Sequence, residues 1–273
     1  MRILFAGDCH GATDHVKALI NEAGKRECDR IFVLGDFGYW EHMADGVKFL
    51  DKVSAFAIKR GISVYFLDGN HDKTSLLLEK YADEPNDEGF LTVRGRLFYA
   101  PRGHQWTWDG VSFIALGGAY SVDKQWRLDQ ERKGKRKGGT LWFPEEEMTD
   151  EDMLNILGTV SRVDVMLAHD KPFDSKPKWN RKAFEECAPN QLRLQWAVDA
   201  LKPSMFLHGH LHYAYTDYLP STETFVHGLD CDPWAAQYPG WSLDRSLLVF
   251  DTTKFGADQL VLEAQRMDGD GHH

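Results

Sequence analysis

The chain has 273 residues, of which 42% are hydrophobic and 12% aromatic, enough to bury a full core in one large domain or two small ones. Its formal net charge of −10 excludes a whole-molecule attraction to the DNA backbone or to an anionic membrane. The four cysteines are scattered without a C-x-x-C pair, and no apolar segment reaches the length of a membrane span. We therefore expect a cytoplasmic protein with reduced thiols.

Short β-type runs alternate with helical patterns from the N-terminus onward, which predicts an α/β fold. The first strand, "RILFA", is followed by Val16, Leu19 and Ile20 at helical spacing, and Gly24 is a natural end for that helix. The runs "RIFVLG" and "ISVYFLDG" predict the next two strands, and the helix between them is expected to end at Gly61. The segment "KTSLLLEKY" predicts a further helix.

Later segments continue this alternation. Strands are predicted at "LFYA", "VSFIALGG", "VDVMLAH" and "SMFLH", and helices at residues 150–157 and 191–201. Thr149 and Asp152 have the spacing of a capping box before the first of these helices. The runs "TFVHGLD", "SLLVFD" and "QLVLEA" predict a β-rich end. Without a repeat or a flexible linker in the sequence, we expect one domain over residues 1–266 and a tail at 267–273.

Residues 119–144 are polar, basic and glycine-bearing, which predicts an inserted loop or flap over a site. The charge run "ERKGKRKGG" at 131–139 has two interpretations, a solvated loop and a contact with nucleic acid. Because such runs are usually solvated, we favour the first interpretation.

Ligand-type side chains follow five of the predicted strands, at the ends where open α/β sheets place their sites. In chain order these residues are Asp8, His10, Asp36, Asn70, His71, Asp72, His169, His208, His210 and His212. Carboxylates, an amide oxygen and imidazoles together suit Mn, Fe, Zn or Ni better than Ca or Mg. Their number exceeds the needs of one ion, so the sequence predicts a site for two divalent transition-metal ions, with manganese favoured.

The blocks "GDCHG", "GDFG", "GNHD", a separate "AH" and "GHLH" resemble the calcineurin-like metallophosphoesterase family in order and rough spacing. The resemblance implies a central β-sandwich of two mixed sheets flanked by helices, with the metal site at the carboxyl ends of the strands. It also implies the ligand sets: Asp8, His10 and His212 for the first ion, Asn70, His169 and His210 for the second, and Asp36 as a bridge between both.

The same resemblance implies catalytic roles for His71 and Asp72. The histidine of "GNHD" would lie beside the leaving-group oxygen, where imidazolium donates a proton, and Asp72 would orient it. A helix-capping role for Asp72 is a compatible alternative. His208 is left over from the pattern and is expected to support a ligand. We expect structural roles for the histidines without a partner motif, which are His15, His42, His104 and His227.

Substrate contacts are expected from side chains that hold no metal. Trp40, four residues after Asp36, is a candidate for stacking on a nucleobase, with packing as the alternative. The segment "GGAYSVDKQWR" is similar to one in some bacterial and phage members of the family. There Lys124 or Arg127 would contact a phosphate or form an exposed salt bridge.

The resemblance implies hydrolysis of phosphate esters by a metal-bridging hydroxide. Two divalent ions, less the charges of Asp8, Asp36 and hydroxide, leave a local surplus of about +1, which fits a monoanionic diester. We therefore expect a phosphodiesterase that acts on small nucleotide-type substrates such as 2',3'-cyclic nucleotides, without a stable nucleic-acid complex or a membrane partner. A protein Ser/Thr phosphatase, a general phosphomonoesterase and a non-catalytic metal-binding scaffold are the alternatives.

Overall fold

The structure, a computed structural model, describes residues 1–134, 142–178, 185–236 and 240–255. Its strands are β1 (Arg2–Ala6), β2 (Arg30–Leu34), β3 (Ser63–Leu67), β4 (Leu91–Arg94), β5 (Leu97–Tyr99), β6 (Gln105–Trp108), β7 (Val111–Leu116), β8 (Val165–Ala168), β9 (Met205–His208), β10 (Tyr215–Leu219), β11 (Thr224–Gly228) and β12 (Leu247–Asp251). Its helices are α1 (Thr13–Lys25), α2 (Ala44–Arg60), α3 (Thr74–Tyr81), α4 (Lys124–Arg132), α5 (Asp150–Leu157) and α6 (Ala188–Leu201). The run "QLVLEA" and the expected tail lie outside the described residues.

The described strands form two mixed sheets of six, in the spatial orders β12-β1-β2-β3-β5-β4 and β10-β11-β9-β8-β7-β6. In each sheet four neighbouring strands run parallel, and an antiparallel strand lies at either edge. Parallel pairing places the carboxyl ends of the central strands at one edge of each sheet. The predicted sandwich of two mixed sheets flanked by helices is confirmed.

Alternate side chains of the central strands pack into different layers. In β1, Ile3 and Phe5 pack between the two sheets, whereas Leu4 packs with the apolar side of α1 and α2. The rings of Phe5 and Phe113 lie 6.4 Å apart between centroids and join the two sheets. Because both faces of these strands are covered, the strands are continuously apolar, which made them recognisable in the sequence.

The helix ends agree with the sequence signals in two of three cases. The capping box of α5 is confirmed, because Thr149 Oγ1 accepts from the Asp152 amide and Asp152 Oδ2 accepts from the Thr149 amide. Helix α2 ends at Gly61, which has a left-handed φ of 70°. The expected end of α1 at Gly24 is wrong, since the left-handed turn falls instead at Glu27, with a φ of 57°.

Several described elements differ from the sequence-based expectation. Strands β4, β6 and β10 were not predicted, and α4 occupies part of the predicted flap, of which residues 135–141 lie outside the described residues. Helix α6 begins three residues early, with Pro189 in its first turn, where a missing amide hydrogen costs little. Trp106 and Trp108 are buried in the core between the sheets. Among the described helices, none is both long and apolar enough to cross a membrane.

Candidate metal centre

The side chains predicted to bind metal lie together where the parallel strands of both sheets end. Loops of the first sheet contribute four of them, and loops of the second sheet contribute three. They are Asp8 and His10 after β1, Asp36 after β2, Asn70 after β3, His169 after β8, and His210 and His212 after β9.

Asp36 stands at the centre of this group. Its Oδ2 atom lies 3.4 Å from His10 Nε2 and 3.5 Å from His169 Nε2. These histidines come from different sheets and belong to the two different predicted ion sites, so one carboxylate oxygen faces both. The side chain is almost fully buried. This placement supports the bridging role, which stays a prediction.

Asp8 faces the other two predicted ligands of the first ion. Asp8 Oδ2 lies 3.0 Å from His212 Nε2 and 3.8 Å from His10 Nε2, and each of the three side chains offers a ligand atom within 4.8 Å of the others. Within the described residues this buried oxygen has no hydrogen-bond partner. Because buried polar atoms are normally satisfied, an oxygen left open toward two imidazoles fits a cation ligand.

Asn70 and His169 present a second pair of acceptors to each other. The Leu34 carbonyl accepts from His169 Nδ1 at 2.7 Å, so in the neutral ring Nε2 carries the lone pair. That nitrogen lies 3.0 Å from Asn70 Oδ1, and the Asn70 amide group donates to Ser121 Oγ at 2.9 Å. The Ser121 contact therefore turns the amide oxygen inward. If the ring is neutral these two acceptors face each other, and either a proton on Nε2 or a bound cation satisfies both.

The loops that carry the ligands have strained backbones. Four of the seven predicted ligands have left-handed φ values, which are 44° at His10, 47° at Asp36, 62° at His210 and 50° at His212. Such conformations cost about 1–3 kcal/mol each and persist where the surroundings enforce them, most often at functional sites. Gly209 is required for another reason, since a Cβ there would collide with Asp8 Oδ1.

The charges in the site compensate one another. Burial opposes ionisation of Asp8, but the nearby imidazoles of His169 and His212 outweigh it and lower the Asp8 pKa to about 2. Burial likewise opposes protonation of His169, yet the two carboxylates raise the His169 pKa to about 10. The pKa of Asp36 is also held well below its ordinary value, despite burial, by His71 and His169. The two carboxylates are thus anionic, and positive charge on the neighbouring imidazoles compensates them.

His71 lies at the edge of the centre. Its backbone amide donates to Asp36 Oδ1 at 2.8 Å, and its Nε2 is 3.8 Å from Asp36 Oδ2. Arg127 Nη2 donates to His71 Nε2 at 3.0 Å, and the Asn70 amide nitrogen lies 3.1 Å from His71 Nε2 and 3.2 Å from its Nδ1. Burial lowers the pKa of His71 to about 3, although Asp36 acts in the opposite direction. The resting ring is therefore neutral rather than the expected imidazolium.

Among the described residues no hydrogen bond joins the Asp72 carboxylate to the His71 ring, and the orienting role of Asp72 stays a prediction. The carboxylate of Asp72 accepts from four backbone amides at 2.7–3.1 Å, those of Phe37, Gly38, Tyr39 and Gly69. Each oxygen receives two donors, so its acceptor positions are filled. The helix-capping alternative is wrong, because the residue before α3 is Lys73 and makes no side-chain cap bond. Asp72 instead holds the loops after β2 and β3 together.

Two of the three residues expected to contact substrate lie beside the centre, and the third does not. Trp40 borders the centre, since its indole nitrogen donates to the His71 carbonyl at 2.6 Å and its ring packs against Gly11. Arg127 reaches His71, as described above. Lys124 points elsewhere, with its ammonium 4.3 Å from the centroid of the Trp142 ring. The structure thus brings two of the three expected residues to the site.

The three histidines of "FLHGHLH" separate, because β9 ends at His208. The His208 ring is buried and contacts the Tyr215 hydroxyl and the Gly209 carbonyl, each at 2.8 Å. His208 thereby supports the turn that carries His210, as expected. Its contacts fill both ring nitrogens, so it is not placed as a ligand.

Sequence reasoning missed two polar partners of the ligands. Ser121 fixes the Asn70 amide, and the Asp232 carboxylate lies 2.7 Å from His10 Nδ1. The signal for Asp232 was present, because "CDPW" follows the predicted strand "TFVHGLD" in the manner of the other strand-end motifs. Ser121 lies within the segment "GGAYSVDKQWR", which was considered only for its cations.

The family model for calcineurin-like phosphoesterases matches residues 1–214. The chain belongs to the calcineurin-like phosphoesterase family. Members of this family typically use a dinuclear site of divalent metals, and the Asp and His groups described above are able to hold such ions. Family membership implies a hydrolase of phosphate esters.

Solved structures share the fold of this calcineurin-like phosphoesterase at low sequence identity. The protein TT1561 of Thermus thermophilus is 14% identical with a TM-score of 0.51, and the match covers 92% of this chain and 98% of that one. A dimetal phosphatase from Danio rerio is 13% identical with a TM-score of 0.50, over 84% of this chain and 87% of its own. No curated protein sequence matches the chain significantly.

Proposed function

We propose that the protein hydrolyses phosphodiesters at a centre of two divalent transition-metal ions, with nucleotide-type substrates such as 2',3'-cyclic nucleotides. The observation that carries the proposal is the position of Asp36, whose Oδ2 faces imidazoles of both ligand sets at 3.4 Å and 3.5 Å. The mixed donor set favours manganese, with iron, zinc or nickel as alternatives.

Seven residues would hold the ions. Asp8, His10 and His212 lie together as one set. Asn70 and His210 would form the other set with His169, whose Nε2 lies 3.0 Å from Asn70 Oδ1 and whose ring centroid lies 5.0 Å from that of His210. Asp36 faces both sets. The ions, when bound, would stabilise negative charge on a phosphoryl group and lower the pKa of a bound water molecule. The strained loops of His10, Asp36, His210 and His212 keep these donors in place before any substrate arrives.

His71 and Arg127 would act on the substrate side of the centre. The neutral His71 ring would donate a hydrogen bond to the leaving-group oxygen and stabilise the negative charge that develops there. Arg127 already lies 3.0 Å from His71 Nε2, so its guanidinium is close to where a phosphoryl oxygen would lie. We assign to Arg127 the binding of that oxygen.

The preference for diesters rests on charge. Both oxygens of Asp123 lie 2.7 Å from Arg127 Nε, so this cation is already compensated and adds little net charge to the cleft. With two divalent ions bound, the net positive charge of the cleft therefore stays at about +1, which is enough to bind a monoanionic diester. Trp40 at the border of the centre would add about 1–3 kcal/mol by stacking on a nucleobase.

A substrate comparison tests this proposal. One Mn-loaded preparation is assayed on bis-nitrophenyl phosphate, nitrophenyl phosphate, a phosphoserine peptide and a 2',3'-cyclic nucleotide, with Asp36→Asn protein purified in parallel as the control for contaminating phosphatases. We expect both diesters to have higher kcat/KM values than the monoesters. A tenfold or greater lead of nitrophenyl phosphate would replace the diesterase by a phosphomonoesterase, and a lead of the peptide would indicate a protein phosphatase.

We also infer a cytoplasmic location and a small substrate without a stable nucleic-acid complex. All four cysteines are buried free thiols, as a reducing compartment allows. The net charge of −10 opposes lasting contact with a polyanion.

A further inference from the structure

Asp232 is a buried carboxylate at the metal centre that lies outside the residues matched by the family model. It follows β11, on the segment that returns toward the end of β1. Its Oδ2 atom lies 2.7 Å from His10 Nδ1. The other ring nitrogen of His10 faces inward, 3.4 Å from Asp36 Oδ2 and 3.8 Å from Asp8 Oδ2.

The position of Asp232 is fixed by several further contacts. Its Oδ1 accepts from the Trp234 amide at 2.9 Å, and its own amide donates to the Asp8 carbonyl at 2.9 Å. The segment also packs so closely on the end of β1 that a Cβ on Gly7 would collide with the Asp230 carbonyl oxygen. Asp232 is therefore tied to both aspartate and histidine of the block "GDCHG".

We propose that Asp232 is a positioning residue that sets the tautomer and orientation of His10 for metal binding. An ionised carboxylate only accepts, so His10 Nδ1 carries a proton, and Nε2, which faces Asp8 and Asp36, is the nitrogen that would bind a cation. The same contact makes the imidazole a stronger donor to a cation. The inference rests on the metal centre of the proposed function and deepens it.

The first test compares Asp232→Asn with Asp230→Asn. Asp230 is a matched control because it is buried, lies two residues away and accepts from the Cys231 amide at 2.8 Å. Zn²⁺ and Mn²⁺ affinities are measured by competition with a chromophoric chelator. We expect Asp232→Asn to weaken one of two binding steps about 10–100-fold, and Asp230→Asn to change either step less than threefold. Equal affinities in wild type and Asp232→Asn, or equal losses in both variants, would overturn the proposal.

A second measurement does not depend on how the variant folds. Long-range ¹H–¹⁵N NMR of Zn-loaded wild-type protein reports which nitrogen of His10 carries the proton. The proposal requires a protonated Nδ1 and a metal-bound Nε2, and the reverse assignment would refute it. If the affinities change as expected but no phosphate ester is cleaved, the positioning role holds and the proposed function fails. If diesters are cleaved but Asp232→Asn binds metal normally, the proposed function holds and the positioning role of Asp232 fails.

Discussion

The loops that carry the metal ligands and helix α4 beside them are held in different ways. Asp72 alone joins two ligand loops through four backbone amides, and the ligands Asp8, Asp36 and His169 are almost fully buried. None of the nine residues of α4, all within the described part of the chain, is buried. Arg127 connects this helix with the centre through His71. We therefore expect substitutions in the ligand loops to abolish metal binding or turnover, and substitutions in α4 to have smaller effects.

The largest expected effect removes the centre of the fixed region. Asp36→Asn should lower kcat/KM by more than about 10⁴-fold, beyond the usual loss from one general acid, because one carboxylate oxygen faces both ligand sets. Metal content by mass spectrometry and turnover on bis-nitrophenyl phosphate are the measurements. The control is Asp164→Asn, because the Asp164 carboxylate accepts from the Ser112 amide and does not face the ligand sets. Normal turnover with two bound metals in Asp36→Asn would exclude a bridging role.

The next effect lies at the border between the two regions. His71→Ala should retain both metals and lose about 10²–10⁴-fold in turnover on substrates with poor leaving groups. The loss should shrink for nitrophenyl esters, because nitrophenolate is a stable anion that needs little stabilisation from His71. A parallel loss on both kinds of ester, or a loss of metal, would show that His71 is a ligand or a structural residue.

A smaller effect is expected from α4 itself. Arg127→Ala should lower kcat/KM about 10–100-fold, the equivalent of one charge-assisted hydrogen bond, without loss of metal. Lys124→Ala is the matched control on the same helix, since its ammonium lies over Trp142. If both variants behave alike, or if Arg127→Ala loses metal, α4 does not differ from the ligand loops as described.

The smallest effect concerns stability away from both regions. His227 is fully buried in the second sheet, and burial lowers its pKa to about 4 from an ordinary value of 6.5. Between these values the unfolded chain binds a proton that the folded chain does not, so stability falls as pH decreases from 6.5 to 4. The slope from this group is at most about 1.4 kcal/mol per pH unit. Urea unfolding of metal-free His227→Phe should show a correspondingly shallower pH dependence than wild type, and parallel curves would contradict this.

The residue patterns predicted an α/β fold and the ligand group because the strands are buried on both faces and end in ligand-type residues. The sandwich of two sheets was implied by the family resemblance. The sequence did not predict β6, in which the buried Trp106 and Trp108 alternate with exposed residues as at a sheet edge. It also missed the Asp72 and Asp232 contacts. These contacts join segments distant in the chain, and local spacing carries no information on which buried acceptor meets which donor.

The conformation of α4 was equally beyond the sequence patterns. Its nine residues were assigned to an inserted loop because they are polar and basic, and no buried apolar stripe marks them as a helix. The left-handed conformations of His10 and His210 were unpredictable for a similar reason. Tertiary contacts, rather than local propensity, enforce them.

Metal titration of chelator-stripped protein tests the central claim most directly. The apoprotein is titrated with Mn²⁺ while hydrolysis of bis-nitrophenyl phosphate and bound metal are measured in the same samples. A centre of two ions built around Asp36 predicts no activity without metal and full activity only near two bound ions per chain. Full activity in the metal-free protein, or saturation at one bound ion, would contradict the account.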